Sequence, residues 1–260
     1  YDEMSTTCGD ASTLFVAANF TDAPTDNGVY KSSDWGNTCV KLTGGEWPTS
    51  AVTLNDLAIS PQYREGTGDT TLYAATSVGL FRWDAGSVNW VNLQPENGTA
   101  VYRIGLPPTF SRLGAGNSKT LFVADRNNVF FNTDIGNGTW TATGYKSEAC
   151  TSISTVTGFA FPGNWGTKGT LRIFVSNSST LCGTIDTSLG DAPWSVWAKV
   201  NDGLPAANIG ASGIAAEPDF DENTTQRRLI CATPSGPYWG TFDASVNKAG
   251  WKRAASFPAL

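Results

Sequence analysis

Thr71-Leu72-Tyr73-Ala74-Ala75-Thr76 is followed by Gly79-Leu80-Phe81-Arg82, then by Asp84, then by Trp90-Val91-Asn92-Leu93. The first run has counterparts in Thr13-Leu14-Phe15-Val16-Ala17, Thr120-Leu121-Phe122-Val123-Ala124, Thr170-Leu171-Arg172-Ile173-Phe174-Val175 and Arg228-Leu229-Ile230-Cys231-Ala232-Thr233. They recur about every 50 residues, a spacing typical of propeller blades. A second run follows each, beginning at Gly28, Gly79, Asn128, Leu181 and Pro237. Next come aspartates at Asp34, Asp84, Asp134, Asp186 and Asp243, and then a third run led by Trp90, Trp140, Trp197 or Trp251, with Cys39 in that place in the first unit. A fourth run precedes every unit but the first: Asn55–Pro61, Val101–Leu106, Thr157–Pro162 and Ser212–Pro218. Proline closes these runs because it cannot donate to a continuing ladder.

Four short β-rich runs per unit, parted by Gly, Asn, Asp and Ser, predict a four-stranded antiparallel sheet. Such a sheet alone leaves both faces wet. Stacking sheets radially covers the faces and leaves only short outer edges. The expected fold class is therefore all-β: a β-propeller of four-stranded antiparallel blades, five in number. The chain reads as one domain, with units at about 1–45, 46–95, 96–145, 146–202 and 203–260. The first unit lacks an inner strand, for which residues 2–7 or 256–260 are the candidate donors; if neither serves, the chain is part of a larger ring.

Composition narrows the function. The chain has 260 residues, 40% hydrophobic and 15% charged, with no histidine and a net charge of −6. The absence of histidine removes histidine triads and histidine-ligated metals. The acidic balance argues against a nucleic-acid partner, which requires clustered Lys and Arg. No apolar run is long enough to span a bilayer as a helix, so no membrane insertion is expected.

Ser32-x-Asp34-x-Gly36-x-Thr38 and Asn132-x-Asp134-x-Gly136-x-x-Thr139-Trp140 resemble the Asp-box of bacterial neuraminidase-repeat and sortilin-like propellers. Asp84-x-Gly86, Asp186 and Asp243 read as degenerate copies. The resemblance implies blade architecture and a structural role for Asp34, Gly36, Asp84, Gly86, Asp134, Gly136, Asp186 and Asp243, and is nearly silent on activity. As a turn the motif is sound: Asp accepts nearby backbone N–H groups and Gly supplies positive φ.

Other candidates are weaker. No catalytic residue is assigned. Tyr102-Arg103-Ile104-Gly105 only partly matches a sialidase signature and lacks its proline; Arg64, Arg82, Arg112 and Arg172 are not tied to one pocket by spacing. Asp56, Glu65, Glu96, Glu217 and Asp219 are the carboxylates from which a glycosidase pair would be drawn. No cofactor is expected; the acidic runs at Asp219–Asn223 and Asp22–Asp26 are the calcium candidates. Trp47, Trp83, Trp165 and Trp239 are candidate ligand-surface aromatics, with core packing as the competing reading. Asn19, Asn97, Asn137, Asn177 and Asn223 are N-glycosylation sequons in expected loops. Cys8 with Cys39 and Cys150 with Cys182 are candidate disulfides, and Cys231 reads as a buried free thiol.

The reading is an extracellular or cell-surface, non-catalytic propeller. Its expected role is structural, adhesive or assembly, with protein partners, copies of itself, or glycans. The alternative is a carbohydrate-binding or glycoside-hydrolysing propeller. The second alternative, an assembly factor for a membrane complex, is implied by resemblance to plastid and cyanobacterial propellers but lacks their basic patch here.

Overall fold

The computed structural model describes residues 13–65, 68–84, 86–95, 99–146, 155–166, 171–177, 180–184, 194–195, 197–200, 204, 213–220, 227–233, 235–243 and 248–254. The first sheet has three strands, β1 (Leu14–Ala18), β2 (Gly28–Ser32) and β3 (Val40–Lys41). The second has β4 (Leu54–Ile59), β5 (Thr71–Thr76), β6 (Gly79–Asp84) and β7 (Asn89–Asn92). The third has β8 (Arg103–Gly105), β9 (Leu121–Ala124), β10 (Val129–Asn132) and β11 (Thr141–Ala142). The fourth has β12 (Val156–Ala160), β13 (Phe174–Asn177), β14 (Leu181–Thr184) and β15 (Trp197–Lys199). The fifth has β16 (Ile214–Ala216), β17 (Arg228–Thr233), β18 (Gly236–Asp243) and β19 (Lys248–Arg253). All are antiparallel meanders, joined by loops with three short 3-10 turns. No helix among the described residues is long and apolar enough to cross a membrane.

The sheets are blades of a β-propeller. Their first strands β4, β8, β12 and β16 lie beside one another in sequence, and β1 lies beside β4. One backbone bond repeats in every blade: the residue after the third run donates its N–H back to the start of the second run. The pairs are Leu42 to Val29, Leu93 to Leu80, Thr143 to Val129, Val200 to Leu181 and Ala254 to Pro237, at 2.8 to 3.0 Å. The units thus repeat in register as the sequence predicts.

Among the described residues four hydrophobic clusters hold the blades together, one for each successive pair. Phe15, Val29, Leu72, Phe81 and Trp90 join the first two blades. Tyr73, Leu80, Val123, Phe130 and Ile135 join the second and third. Phe122, Val129, Val175 and Trp197 join the third and fourth. Phe174, Leu181, Leu229, Phe242 and Trp251 join the fourth and fifth.

Burial follows from this order. Strands β5, β6, β9 and β13 are buried at every position, because both faces of their blades are covered. In the fifth blade β17 and the end of β18 alternate buried and exposed. That period of two is the signature of a sheet covered on one side only. The inner strand expected for the first blade would come from residues 2–7 or 256–260, which lie outside the described residues.

Candidate interaction surface

Among the described residues the outer-facing side of the fifth blade is uncovered and carries an apolar groove. Alternation along β17 and β18 points Leu229, Cys231, Tyr238 and Phe242 inward and leaves Arg228, Ile230 and Trp239 outward. Cross-strand register places Ala215 opposite Ile230, Ile230 opposite Trp239, and Trp239 opposite Lys252. The result is a groove of about 570 Å³ lined by Ala215, Ala216, Glu217, Pro218, Arg228, Ile230, Pro237, Tyr238, Trp239 and Ala254. Ile230 is 52% exposed and Trp239 37% exposed. Arg228 pairs with Glu217 at 3.2 Å on the rim, and the Lys252 ammonium lies 5.7 Å from the Trp239 ring centre. An apolar trough with charged edges suits association with another apolar surface.

The first and third aspartate turns are closed by hydrogen bonds within the turn. Asp34 accepts the Thr38 N–H at 2.8 Å and the Thr38 hydroxyl at 2.7 Å, while Ser32 Oγ accepts the Gly36 N–H. The Thr38 backbone N–H is the chief reason the Asp34 carboxyl titrates below its ordinary value. In the third blade Asn132 takes the place of Ser32 and accepts the N–H groups of Asp134 and Gly136. Gly36 and Gly136 stand at φ +89° and +91°, where a Cβ is strained, and a Cβ on Gly136 would also strike Leu93. The Ile135 carbonyl accepts the Tyr73 hydroxyl and the Arg82 guanidinium, so this turn locks onto the preceding blade.

Asp84 departs from the expected turn role. Its carboxylate pairs with Arg112 of the third blade, and its backbone carbonyl, not its side chain, takes the N–H groups of Ser87 and Val88. Gly86 sits beside that carboxylate without a positive φ. Asp243 ends β18 opposite Lys248. Asp186 lies outside the described residues.

The aromatic candidates separate sharply. Trp83 and Trp165 are buried, and Trp47 packs on Phe81 and Trp90. Trp83 and Trp165 are core residues, Trp47 is half-buried against the seam of the first two blades, and of the four Trp239 is the exposed one. Trp35, at the tip of the first aspartate turn, is 67% exposed and was not among the expected surface aromatics. Trp35 aligns with Ile135 of the third blade, which is buried against the second blade, whereas no described blade covers Trp35.

The sequons divide as well. Asn177 is fully buried: it donates to the Tyr145 hydroxyl and accepts the N–H and hydroxyl of Thr180. It is therefore not a loop acceptor. Asn19 exchanges two bonds with the Leu54 backbone across the first two blades, a role that occupies its amide. Asn137 is exposed in its turn. Asn97 and Asn223 lie outside the described residues.

The pairing of Cys39 with Cys8 is absent: Cys39 is a free, exposed thiol just before β3, and Cys8 lies outside the described residues. Cys231 is free and buried, as expected, and burial pushes its thiol up to about 11. Cys182 in β14 is disulfide-bonded; its partner lies outside the described residues, as does Cys150.

Two of the carboxylates considered for catalysis, Asp56 and Glu65, are bound within the scaffold. Asp56 on β4 accepts the Ile104 N–H of the third blade at 2.9 Å. Burial raises its pKa, against the lowering pull of that bond and of nearby Arg103. Arg103 in turn donates to the carbonyls of Asn55, Tyr102 and Thr157. Glu65 pairs with Lys31 and accepts the Thr13 hydroxyl, which together hold its pKa low. Glu217 is committed to Arg228. Asp22, Asp26 and Asp219 are exposed; Glu96, Asp221 and Asn223 lie outside the described residues. Among the described residues no three Asp, Glu, His or Cys side chains gather as for a metal. Arg82 and Arg172 are buried, Arg112 holds Asp84, and Arg64 and Arg112 both donate backbone N–H groups to Asp69.

No family model and no curated protein matches the chain. The fold is found in solved structures. The extracellular domain of a one component system from B. thetaiotaomicron superposes with a TM-score of 0.56 at 14% identity, over 95% of this chain and 27% of that one. The extracellular domain described as belonging to a hybrid two component system of the same organism gives 0.57 at 13% identity, again over 95% and 27%. An ancestral GH74 enzyme gives 0.49 at 13% identity, over 94% and 37%. The chain thus spans about a quarter of the length of the first neighbours.

Proposed function

We propose that this chain is the non-catalytic propeller of a secreted or cell-surface protein, acting as a structural, adhesive or assembly subunit. The observation that carries the reading is the groove on the fifth blade, with Ile230 and Trp239 presented to solvent between charged edges. Contiguous apolar surface rimmed by charge is characteristic of association sites. The carboxylates support it: Asp56 and Glu65 are bound to scaffold partners away from the groove, and Glu217, which lines it, pairs with Arg228 and has no second carboxylate among the described lining residues. The likeness to extracellular domains is consistent with an extracellular location. The Asp-box turns at Asp34 and Asp134 would then be the periphery of the blades, as in the propellers they resemble.

One observation favours a carbohydrate-binding alternative: an exposed indole beside an ion pair, Trp239 with Arg228 and Glu217, is also a surface on which a sugar ring can stack. A glycan array combined with a panel of chromogenic glycosides separates the two. The proposal expects no saturable glycan binding and no hydrolysis. Glycan binding abolished by Trp239→Ala, or hydrolysis abolished by changes at Glu217, would overturn it.

A further inference from the structure

Each seam between blades joins two different faces. The outgoing face of the second blade presents Ala58, Tyr73, Ala75, Leu80 and Leu93 to the third. The incoming face presents Leu72, Phe81, Trp83 and Trp90 to the first. In the repeat, the fifth-blade groove is an outgoing face: Ala215, Ile230, Ala232, Pro237 and Ala254 stand where Ala58, Tyr73, Ala75, Leu80 and Leu93 stand. The face of the first blade that no described blade covers is an incoming one. Leu14, Val16 and Tyr30 lie on it in register, with Val16 47% exposed.

We propose that the outgoing face of the fifth blade docks the incoming face of the first blade of a second copy of this chain. This deepens the proposed assembly role and rests on it. Two observations select that occupant. The contact continues the stacking already made at four seams, with an outgoing face meeting an incoming one. The apolar bulk is matched: Arg82 reaches the Ile135 turn of the next blade, Trp239 stands at the Arg82 position, and exposed Trp35 stands at the Ile135 position of the first blade. Because the two patches differ, the contact is head-to-tail and extends from copy to copy.

The repeat supplies the test. Trp90, Trp140 and Trp251 donate to the carbonyls of Leu42, Leu93 and Val200 across their seams. Cys39 occupies the tryptophan position and Ala254 the carbonyl position, so Ala254→Cys places a thiol opposite the native one across the docked seam. Mild oxidation of the A254C chain is expected to give a ladder of disulfide-linked copies on a non-reducing gel. The ladder should strengthen with concentration and vanish in A254C with Cys39→Ser. Sedimentation of the unaltered chain is expected to show concentration-dependent association that Ile230→Asp abolishes while circular dichroism is unchanged; this decides the matter if A254C does not fold. A Cys39 bond to residue 254 within one molecule would mean that the chain closes on itself, and would overturn the proposal. So would a monomer at every concentration. Either result leaves the glycan assays to judge the assembly role separately.

Discussion

The indole N–H of Trp90 donates to the carbonyl oxygen of Leu42 at 3.0 Å, across the seam between the first and second blades. Leu42 itself is held by the Val29 carbonyl, so the bond ties a tryptophan of one blade to the outer strand of its neighbour. Trp90 is almost wholly buried there. Trp90→Phe keeps most of the ring and strands the carbonyl, at a cost of about 1–2 kcal/mol. Trp90→Ala also opens a cavity, at about 3–5 kcal/mol. Urea unfolding of both variants measures the order, and a Trp90→Phe chain as stable as the native one would show that the indole bond contributes nothing.

Asp34 and Asp56 respond to pH with opposite signs. Asp34 titrates low because the folded turn donates to its charged form, first through the Thr38 N–H. Its contribution is present above the unfolded carboxyl value and is lost as pH falls through the lower folded value. Asp56 titrates high because burial disfavours its charge. Its contribution is present below the unfolded value and is lost as pH rises through the folded one. Relative to Asp34→Asn the native chain should therefore lose ground on acidification; relative to Asp56→Asn it should gain. Urea midpoints at neutral and acidic pH read both differences.

Thiol labelling should distinguish two cysteines. Cys39 is exposed and free, so it reacts in the native state. Cys231 is buried with its thiol raised to about 11, so it reacts only on unfolding. Peptide mapping after timed alkylation gives both rates; native-state labelling of Cys231 at the rate of Cys39 would show that β17 is not packed as described.

Expression in a glycosylating host should leave Asn177 and Asn19 unmodified and Asn137 accessible. The Asn177 amide is committed to Tyr145, and Asn177→Ala, which leaves that hydroxyl unpartnered, should cost about 1–3 kcal/mol. Intact-mass and peptide analysis settles the occupancy.

The blade repeat was legible because apolar residues, aspartates and tryptophans recur at matching points, and each keeps its packing role where the neighbour is present. What the pattern concealed was position in the series. Thr71-Leu72-Tyr73-Ala74 and Arg228-Leu229-Ile230-Cys231 are similar strands, yet one is buried throughout and the other alternates. Burial there depends on whether another blade follows, a long-range fact. A local trace did exist: Arg228 and Lys252 place charge where Thr71 and Val91 stand in the second blade. For the same reason Trp83 and Trp239 read alike in sequence and part in space. Asn177 looked like a loop residue because its Asx turn to Thr180 is local, whereas the Tyr145 hydroxyl that buries it comes from a distant segment. Asp84 kept its place in the repeat but exchanged its turn bonds for Arg112, a partner from the next blade.

Hydroxyl-radical footprinting across a concentration series tests the open face most directly. In dilute solution Trp239 and Ile230 should oxidise readily while Trp90 and Trp165 stay protected, and Trp239 should become protected as copies associate. A Trp239 as protected as Trp90 at every dilution would contradict the account, since the fifth blade would then be covered within a single molecule.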